Sequence, residues 1–228
     1  MEPNMVILAG GAASRMKNTE SASLDPQLAN AVLTKTKAML PIGRNGRPFL
    51  DYLLFNAQSA GYANVVIVVG ERDRSIQQYI DEGAAQCFPS LSLSFIAQPV
   101  PPERSKPLGT ADALLRVLLT VAQWKGQRFT VCNGDNLYSR TALRLLLEDA
   151  HPNAMIAYDR SALHYPEDRI TKFAVIMKDS DGYLTDIIEK PTSDDLVRAH
   201  NAHGRIGVSM NLWRFTYEHI LPYLEAVP

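Results

Sequence analysis

In the stretch VILAGGAASRM, residues 6–16, an apolar run passes through Gly10 and Gly11 to Ser14 and Arg15. A glycine pair lets backbone N–H groups come close to an anion, because no Cβ intervenes. The forked guanidinium just behind it is suited to clamping a phosphate. The spacing matches neither common phosphate loop: G-G-A-A-S-R fails GxGxxG, and no Gly-Lys completes GxxxxGK[ST]. Two further positions fit the same kind of ligand. Asp135, in NGDN, follows the apolar run Phe129–Cys132. A carboxylate at the carboxyl end of a strand, beside phosphates, is a natural Mg²⁺ ligand, since magnesium takes few carboxylates plus substrate oxygens. The plainer reading of Asp135 is a turn former after a strand. Gly109-Thr110-Ala111 opens a helical stretch, so its free N–H groups and dipole can face a nucleotide.

These residues need elements to hold them, and the sequence supplies an alternating set. Continuous apolar runs at Met5–Ala9, Val65–Val69, Phe129–Cys132 and Ala154–Tyr158, with the alternating Leu91–Ile96, read as strands. Helical spacing over Phe49–Ala57, stopped by Gly61, and over Ser75–Glu82, Thr110–Ala122 and Thr141–Ala150 separates them. Apolar strands alternating with helices imply a parallel sheet covered on both faces. Asn18–Thr36 is small and polar and reads as a loop. After about residue 160 the pattern changes: KFAVIMKDSDGYLTDIIEKP is two strands joined at Asp181-Gly182, GVSMNLWRF is a further strand, and TYEHILPYLEAVP is helical. The expectation is one domain, with about 1–158 as a nucleotide-binding core and about 159–228 as a β-rich region, the chain end leaving open a C-terminal truncation.

Composition sets limits. The 228 residues carry a formal net charge of -1, which excludes the basic surplus of a general nucleic-acid binder. Cys87 and Cys132 form no CxxC, which fits a reducing cytoplasm and offers no zinc site. No apolar run approaches the roughly 20 residues of a membrane span, and the start has no basic region of a signal peptide. His151, His200, His203 and His219 have no metal spacing, and Trp124 and Trp213 read as packing residues.

Five motifs in order, LAGG..SRM, KAMLPI, GTADAL, NGDN and IIEKP, resemble the sugar-phosphate nucleotidyltransferase family from Val6 to about Phe215. The resemblance implies a Rossmann-like three-layer α/β/α fold with a mixed, mostly parallel sheet. It also implies transfer of a nucleotidyl group from a nucleoside triphosphate to a sugar 1-phosphate, with Mg²⁺ as cofactor and pyrophosphate released. Leu8, Ala9, Gly10, Gly11 and Ser14 would then hold base and phosphates. Arg15 and Lys37 would neutralise the triphosphate, with Lys35 nearby a solvated lysine. Gln98 would meet the base edge, and Gly109 and Thr110 the nucleotide. Asp135 would be the metal ligand. Glu189 would take sugar hydroxyls and Lys190 the sugar phosphate. GTADAL is most similar to the adenylyl-transferring enzymes of glucose 1-phosphate, but the base stays open.

The chain departs from the family pattern in four places. The loop before Lys37 is long, and so is the segment PVPPERSKPLG that follows Gln98. KFAVI, with Ala174, stands where many members carry a Tyr-Gly on the sugar. Asn211 stands as the candidate for a second polar site where the family has another aspartate. Two other readings therefore stay open: a cytidylyltransferase-type enzyme for phosphocholine or another alcohol phosphate, and a regulatory nucleotide-binding module without catalysis. The expected partners are small molecules, neither nucleic acid nor membrane, with a homo-oligomer left open.

Overall fold

The computed structural model of the chain describes residues 3–11, 36–43, 45–200 and 204–227. Its elements run β1 (Asn4–Leu8), a short ribbon of β2 (Pro41–Ile42) and β3 (Arg47–Pro48), α1 (Phe49–Ala60), β4 (Asn64–Gly70), α2 (Ser75–Asp81), β5 (Ser92–Gln98), α3 (Thr110–Thr120), β6 (Arg128–Asn133) and α4 (Arg140–Glu148). Then follow β7 (Ala154–Asp159), α5 (Glu167–Ile170), β8 (Val175–Lys178), β9 (Leu184–Ile188), α6 (Ser193–Arg198), β10 (Gly207–Thr216) and α7 (Tyr217–Glu225). The chain divides into two compact units, Met1–Ala154 with Trp213–Pro228, and Met155–Leu212.

The first unit is built on strands in the order β5-β4-β1-β6. β1 pairs parallel with β4 and with β6, and β4 pairs parallel with β5. Alternation sends successive side chains to opposite faces. Val6, Val66, Val68, Phe129 and Val131 meet Leu114, Val117 and Leu118 of α3 and Tyr217 and Leu224 of α7 on one side. On the other, α1 packs with α4, and the Tyr62 hydroxyl after α1 joins Thr130 Oγ1 at 2.6 Å and donates to the Leu143 carbonyl at 3.1 Å. This is the expected α/β arrangement with helices on both faces. Trp124 lies in the core, stacked near Phe129. Cys132 is fully buried and burial pushes its thiol well up, while Cys87 is exposed.

Register is pinned by polar residues. Buried Asn4 donates to Gln127 Oε1 at 2.7 Å and accepts from Asn64 Nδ2 at 2.9 Å, tying β1 to its neighbours at one end. Arg214 of β10 is also buried, and its Nη1 donates to the carbonyls of Leu146 and Leu147 in the last turn of α4. Those carbonyls have no partner within the helix, so the guanidinium acts as its C-terminal cap.

The second unit is antiparallel where its register is defined: β8 pairs with β9 and with β10, and β7 pairs with β10. The Asp181-Gly182 turn joins β8 to β9 as the sequence predicts. α6, which the sequence reading passed over, begins with a capping box between Thr192 and Asp195. Among the described residues no helix is long and apolar enough to cross a membrane.

Candidate functional site

The carboxyl ends of β1, β4, β5 and β6 share one edge of the first unit, the place where open parallel sheets bind ligands. Two main-chain bonds lock this edge: Ala9 N donates to the Val68 carbonyl at 2.8 Å and Gly134 N to the Leu8 carbonyl at 2.9 Å. The second needs a glycine. A Cβ on Gly134 would lie 3.0 Å from Ala9 Cβ and 3.2 Å from the Leu8 carbonyl oxygen. Gly134→Ala is therefore expected to cost about 1–3 kcal/mol by overpacking and to widen the floor of the site. A denaturant melt beside a nucleotide titration measures both effects.

The crossing encloses a cavity of about 370 Å³. Its floor is Leu8, Ala9, Gly10 and Gly11, with Gly109 and Thr110 at the amino end of α3. Gly109, at φ 120° and ψ −168°, occupies backbone space that side-chain-bearing residues avoid, and so turns the chain into the helix beside the cavity. Ala38, Val68 and Ala113 give an apolar wall.

Charge enters from two loops. Lys37 Nζ lies 2.7 Å from Asp135 Oδ2, with both side chains about two-fifths exposed at 43% and 37%. This joins two residues nearly 100 positions apart that the sequence singled out separately. Lys106 also lines the cavity. The sequence reading missed it, because it lies in a proline-rich segment whose composition signals only a loop. Asn133 and Gly134 were likewise not singled out. Gln98 is buried at the end of β5, its Nε2 2.8 Å from both the Gly109 carbonyl and Asp112 Oδ2. Burial works to raise the Asp112 carboxyl, but hydrogen bonds from Arg116 and Gln98 hold it below the ordinary value.

Among the described residues no three His, Cys, Asp or Glu side chains gather into a metal cluster. Asp135 is the single carboxylate among the described lining residues, and it is accessible. That donor set does not make an all-protein metal cage, but it suits a hard cation shared with phosphate oxygens.

Ser14 and Arg15 lie outside the described residues, as do Lys35 and His203. Ala174, Glu189, Lys190 and Asn211 belong to the second unit. Ala174 is buried and its carbonyl accepts from Ser209 N at 2.9 Å. Glu189 and Lys190 are exposed at the end of β9. Lys190 has φ 51° and Asn211 φ 56°, the two described non-glycine residues in the left-handed region. For lysine ahead of a proline that is a costly conformation, and such strain collects at functional sites.

Known proteins match this architecture. A solved structure of UDP-glucose pyrophosphorylase complexed with UDP-glucose superimposes with a TM-score of 0.67 at 18% identity, covering 100% of this chain and 80% of that one. Glucose-1-phosphate adenylyltransferase 2 of Vibrio cholerae is 25% identical over 217 residues, 93% of this chain and 49% of the relative. Glucose-1-phosphate adenylyltransferase of Corynebacterium kroppenstedtii is 26% identical over 194 residues, 82% of this chain and 42% of its own. The chain thus spans about half the length of the curated relatives it matches. With the profile of the Nucleotidyl transferase family matching residues 4–205, this chain belongs to that family.

Proposed function

We propose that the chain joins a nucleoside triphosphate to a sugar 1-phosphate and releases pyrophosphate. The observation that carries this is the Lys37–Asp135 pair at a strand-end cavity floored by Leu8–Gly11. The names of the relatives, glucose-1-phosphate adenylyltransferases, support a sugar 1-phosphate as the acceptor.

In this reading an acceptor phosphate oxygen attacks the α-phosphorus as the bond to the β-phosphate oxygen breaks. That oxygen is largely ionised already, since the second pKa of a phosphate is about 6, so no general base is needed. The work is positioning and charge neutralisation. Gly10, Gly11 and Ser14 hold the phosphates, Gly109 and Thr110 direct a helix dipole at them, and Arg15, Lys37 and Lys106 offset their charge. Asp135 would hold Mg²⁺, which when bound supplies Lewis-acid stabilisation of phosphate charge. Lys37, 2.7 Å from Asp135, would meet the triphosphate beside it. Lys190, Glu189, Ala174 and Asn211 are the proposed acceptor residues, with Glu189 and Lys190 exposed at the end of β9. The setting is cytoplasmic, with small molecules as partners.

Pyrophosphate release tests this, with Mg²⁺, across ATP, CTP, GTP, UTP and dTTP and a panel of sugar 1-phosphates and phosphocholine. Release with a sugar 1-phosphate is the expected result. Release with phosphocholine alone would move the acceptor to the alcohol phosphates, as KFAVI suggests. Nucleotide binding with no release would mark a regulatory module.

A further inference from the structure

We infer that Tyr138 is a positioning residue for Asp135: its buried hydroxyl closes the loop after β6 and so sets where the carboxylate stands in the cavity. This rests on the proposed role of Asp135 as the cation ligand.

Asp135 is exposed, and the side chain that meets it is Lys37. An ammonium on a flexible four-carbon stem does not fix a backbone. The backbone on either side of Asp135 is fixed by other means. On one side Gly134 N donates to the Leu8 carbonyl at 2.9 Å. On the other the chain runs through Asn136 and Leu137 to Tyr138, which is buried and turns its ring back toward the end of β6. The Tyr138 hydroxyl accepts from Asn133 N at 3.2 Å and from Asn136 Nδ2 at 3.3 Å. Those two bonds engage both lone pairs of the oxygen, and the residues they clasp flank the Gly134–Asp135 pair. Tyr138 is held in turn, since its carbonyl accepts from Asn56 Nδ2 of α1 at 2.8 Å. The next residue, Ser139, caps α4 by accepting from Ala142 N at 3.1 Å. Asp135 therefore rides on a short span tied to β1, to β6 and to α1.

A lone carboxylate has little to offer a hard cation except its placement, because magnesium demands near-ideal geometry. A loose loop would have to be ordered when the cation arrives, and that lost entropy subtracts from affinity. The clasp orders the loop during folding instead. If Tyr138 served only to fill the core, the ring alone would carry its role, and Tyr138→Phe keeps the ring.

Calorimetric titration of the full chain with a nucleoside triphosphate, with and without Mg²⁺, tests this. The probe is whichever of ATP, CTP, GTP, UTP and dTTP the wild type binds most tightly, and the readout is the affinity gained from Mg²⁺. Tyr138→Phe is expected to lower the affinity in Mg²⁺ by about tenfold while the metal-free affinity stays within about twofold. A core-filling role would move both affinities together or neither. Added to Asp135→Ala, which lacks the carboxylate, Tyr138→Phe is expected to change nothing further. Asn56→Ala loosens the same residue from the side of α1 and is expected to lower the gain by about threefold. That variant decides the matter if Tyr138→Phe does not fold. A wild-type gain in folded Tyr138→Phe, or in Asn56→Ala where that variant decides, overturns the inference and leaves the metal reading of Asp135 intact. So does an equal loss in the Asp135→Ala background. If Asp135→Ala itself keeps the gain, the metal reading fails and the inference with it. If no triphosphate binds the folded wild type, the nucleotide reading fails and takes both with it.

Discussion

Under the proposed function, Asp135→Ala is expected to lower pyrophosphate release by about 10³-fold at saturating nucleotide and Mg²⁺, because the carboxylate would anchor a cation worth several kcal/mol in the transition state. The fold barely registers the change. The Lys37–Asp135 pair is two-fifths exposed, and such pairs contribute about 0–1 kcal/mol. The loss should therefore fall on kcat while the melting temperature moves by a degree or two. Nucleotide affinity measured without Mg²⁺ should hold or rise, since Lys37 is freed to meet the triphosphate. Steady-state kinetics with a thermal melt and a metal-free titration separate these readouts. Turnover within tenfold of wild type would show that Asp135 does not hold the metal.

Arg214→Met destabilises the first unit by about 3 kcal/mol, roughly 6–12 °C in melting temperature for a chain of this size. Two effects compete. Removing a buried charge relieves its desolvation, and full apolar replacement of buried ionic groups is often neutral. Here only the donor is removed. The Leu146 and Leu147 carbonyls stay at the end of α4 without the guanidinium that meets them, and an abandoned buried acceptor costs the full penalty. Methionine keeps the length of the stem, so the packing change is small. Scanning calorimetry decides the sign, and a shift under 2 °C would show that α4 recruits other partners. Nucleotide affinity at low temperature should be unchanged, since neither Arg214 nor α4 lines the cavity.

The two predictions differ in how far the sequence foreshadows them. Asp135 was legible as a candidate because NGDN follows an apolar strand and stands in order with the other motifs, and β6 does end two residues before it. The strands β1 and β4 were legible because they are apolar on both faces. Arg214 was not. Alternation from Val208 through Leu212 puts it on the buried side of β10, but a guanidinium read as polar hides that phase. The Gln98–Asp112 bond was not legible either, since it needs the end of β5 and the first turn of α3 to meet across a long loop. Lys106 escaped for the reason common to loops: no periodicity marks which side chain turns inward. Gly134 was quoted only as part of NGDN, and its role emerges once Ala9 is seen 3.0 Å from where its Cβ would sit.

The central place of β1 also bears on how the protein is made. This strand is synthesised well before one of its partners, β6, which follows Gln127, 123 residues beyond Asn4. At ribosomal rates of about 5–20 residues per second, β1 waits roughly 6–25 s before β6 emerges. During that interval the apolar Met5–Leu8 has an unpaired edge, the kind of surface that aggregates or recruits a chaperone. The floor of the cavity thus takes shape only after β6 emerges, although Leu8–Gly11 are translated well before that strand.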